Sequence, residues 1–78
     1  MMTEPMQITV NGESRDVAEG CSVASLLSEL AIPSERVAVE LNLNILDRRA
    51  FGATPLSQGD RVEVIGFIGG GEGTGYER

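Results

Sequence analysis

Alternating apolar and polar positions near the start of the chain predict a β-hairpin. Residues 6–10 (MQITV) alternate, and the Asn11-Gly12 pair that follows favours the positive φ angles of a type I′ turn. Residues 14–18 are therefore expected to return as the second strand. The alternation does not extend into residues 1–5 (MMTEP), which we expect to be a disordered extension.

A helical spacing follows the hairpin and predicts one amphipathic helix. Ser22 is a favourable N-cap residue, and Pro33 is expected to end the helix because proline has no backbone N–H to donate. Apolar side chains recur at the spacing i, i+3, i+4 and i+7, at Val23, Leu26, Leu27 and Leu30. This stripe must be buried, so the helix is expected to pack against another element.

Period-two alternation returns in the second half of the chain. Residues 36–41 predict a third strand, Ile45-Leu46 a short strand, and residues 61–68 (RVEVIGFI) a final strand. Two large apolar side chains in the intervening loop are expected to fix it to the core, at Phe51 and Leu56. The predicted order is β-β-α-β-β-β, with the fourth strand very short. The pattern favours an α+β fold in which one amphipathic helix packs on one face of a small mixed sheet.

The last predicted strand carries apolar side chains on both of its faces. Ile65 and Phe67 lie on the face opposite to that of the valines at 62 and 64. An exposed apolar pair at this place would suit a protein partner. The pattern leaves an alternative open, in which residues 1–5 or the loop 42–58 cover the pair.

Charge and composition narrow the classes of function. The 78 residues include twelve acidic and six basic residues, a net charge of −6 that disfavours nucleic acid and anionic membranes and favours a basic protein partner. All six basic residues are arginines, and there is no histidine. Schiff-base lysines, imidazole bases and histidine-liganded metals are thereby excluded. We expect a protein that is not an enzyme and has no catalytic residue and no metal site of its own.

The chain shows no sign of a membrane or secretory segment. No apolar run approaches the ~18–20 residues that cross a bilayer, and the first residues lack a signal-peptide pattern. We therefore expect a cytoplasmic protein. The single cysteine, Cys21, has no partner for an intramolecular disulfide, and we interpret it as a small buried side chain rather than a reactive thiol.

Glycine is concentrated directly after the last predicted strand. Six of the ten glycines fall within the last thirteen residues, and residues 69–78 form a glycine-rich segment that we expect to be flexible. The spacing from Gly70 to Gly75 superficially fits a phosphate-binding loop. That interpretation fails because Tyr76 stands where the loop requires lysine. Composition alone therefore predicts a disordered terminus.

Taken together, these segments resemble the ThiS/MoaD family of ubiquitin-like sulfur carriers, most closely its ThiS branch. The resemblance spans residues 6–71 and rests on the order of MQITVNG, SVASLLSEL, RVAVELN, ILDRRAF and QGDRVEVIGFIGGG. It implies a β-grasp domain over residues 6–68 and a functional glycine tail over residues 69–78. On the basis of this resemblance, we interpret the glycine tail as a functional segment instead of a disordered terminus.

The resemblance also implies a chemistry and a set of site residues. Gly71 would carry sulfur as a thiocarboxylate, and Gly69 and Gly70 would thread into an activating enzyme that resembles ubiquitin-activating enzymes and uses ATP. Other implied partners are a sulfur donor such as a cysteine desulfurase and, for the thiazole of thiamine, thiazole synthase. The chain itself would bind no cofactor. Contacts with partners are assigned to three apolar residues at the end of the last strand, Ile65, Phe67 and Ile68.

The sequence departs from the family pattern after Gly71. Residues 72–78 (EGTGYER) follow, so Gly71 as written has no free carboxylate, and a peptidase would have to remove this segment. Two alternatives stay open: a MoaD-like carrier for molybdopterin or another metabolite, and a non-covalent β-grasp interaction module with an unprocessed tail. Arg48 matches a basic position in the family's loop, which suggests a docking role.

Overall fold

The computed structural model describes residues 4–66, in which one α-helix and a sheet of five strands follow the predicted order. The strands are β1 Met6–Val10, β2 Glu13–Val17, β3 Val37–Leu41, β4 Asn44–Ile45 and β5 Arg61–Gly66, and the helix is α1 Val23–Glu29. Two short 3-10 segments occupy Ser34–Arg36 and Arg48–Ala53. Strands β2 and β4 each begin one residue earlier than predicted.

The sheet is mixed, as the sequence pattern indicates. The strand order is β2-β1-β5-β3-β4, which places β5 in the centre between β1 and β3. Strand β5 runs parallel to β1, with Thr9 opposite Arg61 and Val10 opposite Val62. The other three pairs of neighbouring strands are antiparallel. Strand β5, the last strand within residues 4–66, is thus paired on both sides.

The core lies between one face of this sheet and helix α1. Apolar side chains of β1, β2, β3 and β5 lie on this face, and the helical stripe covers them. The predicted core residues are confirmed as buried, at Val23, Leu26, Leu27, Val37, Val39, Phe51, Leu56, Val62 and Val64, and Leu30 packs partly buried against them. Each such side chain contributes roughly 1.5–3 kcal/mol by leaving water. Within residues 4–66 no buried polar side chain interrupts this core.

The two ends of helix α1 are determined by different capping motifs. At the start, the predicted cap is confirmed, because Ser22 Oγ accepts a hydrogen bond from the Ser25 backbone N–H at 3.1 Å. At the end, Ala31 adopts φ 59° and its N–H donates to the Ser28 carbonyl, while the Ile32 N–H donates to the Leu27 carbonyl at 2.9 Å. These bonds form a Schellman motif. The helix therefore ends at this motif, before the predicted stop at residue 33.

Candidate functional site

The candidate site begins where the central strand β5 ends. Gly66 is the last described residue, and the five glycine and apolar positions that follow lie outside the described residues: Phe67, Ile68, Gly69, Gly70 and Gly71. Of the residues predicted for the site, the structure places Ile65. It is 38% exposed and lies opposite Ala38 on the sheet face that α1 does not cover. The loop 42–58 therefore leaves Ile65 accessible.

The two neighbours of β5 support its end unequally. Strand β3 accompanies it to Gly66, which lies opposite Val37. Strand β1 stops earlier, at Val10 opposite Val62, so β5 extends four residues beyond the last paired residue on that side. Strand β5 is therefore paired with β3 as far as Gly66 but with β1 only as far as Val62.

The side chain of Asn11 supports β5 beyond the end of β1. Its backbone N–H donates to the Val62 carbonyl at 2.9 Å, and its Oδ1 accepts from the Val64 N–H at 2.8 Å. Its Nδ2 donates to the Val64 carbonyl at 3.3 Å. An amide side chain here supplies the donor and the acceptor that a further strand residue would have supplied. The sequence predicts a turn at Asn11-Gly12, and no local pattern indicates this second role.

Carboxylates and apolar side chains share the sheet face that bears Ile65. Glu40 lies directly opposite Glu63, two residues along the strands from the pair of Ile65 and Ala38. Arg61 Nε lies 3.5 Å from Glu63 Oε2 on the same face, and both side chains are solvent-accessible. An accessible ion pair of this kind contributes little to stability. The face therefore combines accessible apolar area with negative charge.

Two exposed apolar residues were missed by the sequence analysis. Leu43, in the turn after β3, is 68% exposed and has φ 74°, and Ile45 in β4 is 75% exposed. The sequence offers one sign of them, since apolar residues at 41, 43 and 45 continue the alternation of strand β3 beyond its end. Asn42 and Leu43 both take positive φ, so the chain makes a tight turn between β3 and β4.

Arg48 is engaged within its own domain. Its Nε donates to the Ser34 carbonyl at 2.9 Å, and its Nη2 lies 3.3 Å from the carbonyls of Glu35 and Val37. The guanidinium thereby satisfies two carbonyls of the 3-10 segment that precedes β3 and the carbonyl of the first residue of β3. These contacts support a structural role for Arg48, while the hypothesis of a docking role stays a prediction.

The neighbouring loop is ordered by a carboxylate. Asp47 Oδ1 accepts from the Arg49 backbone N–H at 2.8 Å, and Asp47 Oδ2 accepts from Arg49 Nη2 at 2.9 Å. These hydrogen bonds hold the pKa of Asp47 below its ordinary value. The pair caps the 3-10 segment that begins at Arg48.

The thiol of Cys21 is buried between the hairpin and the helix, as the sequence analysis expected. It is 7% exposed, and its Sγ donates to the Ser22 carbonyl at 3.4 Å. Burial, and secondarily the negative charge of Glu29, raises the pKa of the Cys21 thiol. A raised pKa disfavours the nucleophilic thiolate, so the chemistry available here is that of a packed side chain.

No helix in residues 4–66 is long and apolar enough to span a membrane. Over the same residues, no three side chains of histidine, cysteine, aspartate or glutamate are arranged to hold a metal ion.

Comparison with known proteins relates this architecture to a family. The sequence profile of the ThiS family matches residues 8–71. The crystal structure of the thiamine biosynthesis protein ThiS from Geobacter metallireducens superposes with a TM-score of 0.74 and 48% sequence identity. That match covers 85% of this chain and 100% of the Geobacter chain. The mixed sheet with one helix is therefore a β-grasp fold, as predicted.

Two longer proteins contain a segment similar to this chain. A thiazole synthase from Paramagnetospirillum magneticum is 39% identical over 66 residues, which cover 85% of this chain. A thiazole synthase from Magnetococcus marinus is 40% identical over 67 residues, which cover 86% of this chain. The chain spans about a fifth of the length of these two relatives, 20% and 21% respectively.

Proposed function

Because this chain belongs to the ThiS family of ubiquitin-like sulfur carriers, we propose that it carries sulfur as a thiocarboxylate on Gly71 for the thiazole of thiamine. The observation that carries this proposal is the position at which the family match stops. The match ends at Gly71, the last of three consecutive glycines that follow β5 at a distance of a few residues. Because the match to the family's sequence profile extends as far as this glycine, it supports Gly71 as the residue that carries the sulfur.

The chemistry requires activation of the Gly71 carboxylate. A carboxylate is a poor electrophile because its oxygen is a poor leaving group. In the proposed sequence a carboxylate oxygen attacks the α-phosphorus of ATP, pyrophosphate leaves, and a mixed anhydride with AMP forms. The terminal sulfur of a persulfide on the donor then attacks the carbonyl carbon, and AMP leaves with the former carboxylate oxygen. A thiol reductant cleaves the S–S bond of the resulting acyl disulfide and releases the thiocarboxylate. These steps take place in an adenylating partner, so the carrier itself supplies the acyl group and no catalytic side chain.

Glycine suits the segment that must enter such a partner. Gly69 and Gly70 have no Cβ to contact the walls of a narrow channel, and glycine adopts extended and left-handed backbone angles with equal ease. The domain that precedes them supplies the surface for recognition. We assign partner contacts to Ile65, which is 38% exposed, and to Phe67 and Ile68. The acidic side chains beside Ile65 favour a partner surface with basic residues.

The proposed partners follow from this chemistry. They are an adenylating enzyme similar to ubiquitin-activating enzymes, a sulfur donor such as a cysteine desulfurase, and a thiazole synthase that consumes the sulfur. The thiazole synthases that contain a segment similar to this chain support the last of these. The names of these relatives and of the Geobacter protein favour thiazole over molybdopterin as the destination.

A free carboxylate on Gly71 requires hydrolysis of the bond between Gly71 and Glu72. Seven residues follow Gly71 in this sequence, and we propose that a peptidase removes them before activation. The removed residues include two glutamates and one arginine, so a net charge of −5 of the original −6 is kept. The attraction to a basic partner is therefore preserved in the processed form.

Alanine substitution of the terminal glycines tests the proposal. In the chain truncated after Gly71, Gly70→Ala and Gly71→Ala are each expected to lower the rate of adenylation about 10²-fold, because a misplaced reacting group is costly. The measurement is pyrophosphate release with the adenylating enzyme and ATP, together with the urea midpoint of each variant. Gly52→Ala is the matched control, since an added Cβ there would have nothing within 4 Å. Equal rates for all variants would contradict the proposal, and so would a loss of rate that follows a loss of stability.

A further inference from the structure

We propose that Asn11 is a positioning residue that fixes the point from which the carboxylate-bearing arm leaves the domain. The arm is the segment 67–71. This inference rests on the proposed function, because it concerns how Gly71 is presented to the adenylating partner. It assigns to Asn11 a role in the activation step beyond its place in the β1–β2 turn.

Strand β5 is supported unequally by its two neighbours. Strand β1 pairs with β5 as far as Val10 opposite Val62, whereas β5 continues to Gly66. In the stretch beyond Val62, the β1 side of β5 is bonded by the side chain of Asn11. The two bonds to Val64 measure 2.8 and 3.3 Å and use both its N–H and its carbonyl. We call this pair of bonds the Asn11 clamp.

The clamp lies close to the arm in the sequence. Val64 precedes the first arm residue by three positions and Gly71 by seven. Without the clamp, the end of β5 would be bonded along β3 on one side and more free to move on the other. A longer free segment must lose more conformational entropy when the arm is ordered in a partner. The clamp therefore determines how many residues lose conformational freedom when the partner binds the arm.

A second asparagine provides a natural comparison at the opposite end of the same strand. Asn42, like Asn11, has φ 51° in a tight turn. Its backbone N–H donates to the Arg61 carbonyl at 2.8 Å, and its Oδ1 accepts from the Arg61 N–H at 2.9 Å. Asn42 thus holds the first residue of β5 as Asn11 holds Val64. The two side chains differ in their distance from the arm.

Substitution of each asparagine by glycine distinguishes the effect of the side-chain bonds from the effect of the turn. Glycine tolerates the positive φ of both positions, so Asn11→Gly and Asn42→Gly retain the turns and remove the side-chain bonds. Asn11→Asp retains the Oδ1 acceptor for the Val64 N–H and serves as the conservative variant. All variants are made in the chain truncated after Gly71, and pyrophosphate release is measured as a function of carrier concentration with the adenylating enzyme and ATP.

The expected result is a specific effect on KM. For Asn11→Gly we expect KM to rise about tenfold with kcat unchanged, since ordering a longer segment weakens ground-state and transition-state binding alike. Asn42→Gly should keep the original KM at a similar urea midpoint. Asn11→Asp keeps the acceptor for the Val64 N–H and loses the donor to the Val64 carbonyl, so it should recover part of the loss. An unchanged KM for Asn11→Gly would overturn the inference, as would an equal rise in both glycine variants.

Amide hydrogen exchange supplies a readout that does not depend on the chemistry. Exchange at Val64, Ile65 and Gly66 is expected to be faster in Asn11→Gly than in Asn42→Gly. Equal exchange rates in the two variants would overturn the clamp. If the original truncated chain releases no pyrophosphate, the proposed function fails, and the exchange rates alone then decide whether the clamp exists.

Discussion

Cys21 shows at the scale of one residue how burial decides chemistry. Its thiol is enclosed by the core, and both burial and the charge of Glu29 raise its pKa. The folded protein therefore binds the thiol proton more tightly than the unfolded chain does. This contribution to stability is complete below the ordinary thiol pKa of about 8.5 and is lost as the pH rises through the folded value.

The pH dependence of stability is the corresponding prediction. Between about pH 7 and about pH 9.5 the urea midpoint of the original chain should fall, because the unfolded state releases the thiol proton first. The chain contains neither lysine nor histidine, so few other groups titrate in this interval. Cys21→Ala is expected to show a flatter profile over the same interval. Parallel profiles for the two proteins would contradict the role assigned to burial.

Asn11 shows what the sequence could not reveal at this scale. The Asn11-Gly12 pair predicts a turn because both residues tolerate positive φ, and the structure confirms the turn, with φ of 51° and 85°. The bonds to Val64 join residues 53 positions apart. Such contacts depend on the pairing of β1 with β5, and local spacing carries no information about that pairing.

Helix α1 is the element whose boundaries are best explained by particular bonds. Its start was predictable, because Ser22 is a residue type that caps helices and precedes the apolar stripe. Its end was not, since a Schellman motif is normally signalled by glycine, and here the left-handed position is occupied by Ala31. The proline at 33 was the more visible signal, and it lies beyond the actual end.

Substitution of Ala31 by glycine tests this account of the helix end. Ala31 has φ 59°, and glycine adopts this region without a steric penalty, so Ala31→Gly is expected to stabilise the fold by about 0.5 kcal/mol after the entropy of the unfolded chain is counted. Ala24→Gly, within α1, is the matched control and should destabilise by roughly 0.5–1 kcal/mol. The measurement is urea unfolding of both variants. Destabilisation by Ala31→Gly would contradict the motif.

At the scale of the whole molecule, we propose that a folded domain precedes a chemical end group at Gly71. The fold was predictable because β1, β3, β5 and the helix carry their own hydrophobic period, and one helix on one sheet face is the simplest way to bury them. Strand β2 was predictable from the Asn11-Gly12 turn that precedes it. The candidate site was predictable only through the resemblance to a family, since glycines alone also fit a disordered terminus. The exposed positions of Leu43 and Ile45 were not predictable, because exposure is a property of the assembled sheet.

The central claim is that the carboxylate of Gly71 exchanges an oxygen for sulfur. The most direct measurement is intact-protein mass spectrometry after incubation with the adenylating enzyme, ATP and a sulfur donor. Three forms are compared: residues 1–78, a form that ends at Gly71 and a form that ends at Gly70. The account predicts replacement of one oxygen by sulfur in the form that ends at Gly71 and no change in the other two. An unmodified Gly71 form with enzymes active on another carrier, or sulfur on a chain that retains residues 72–78, would contradict it.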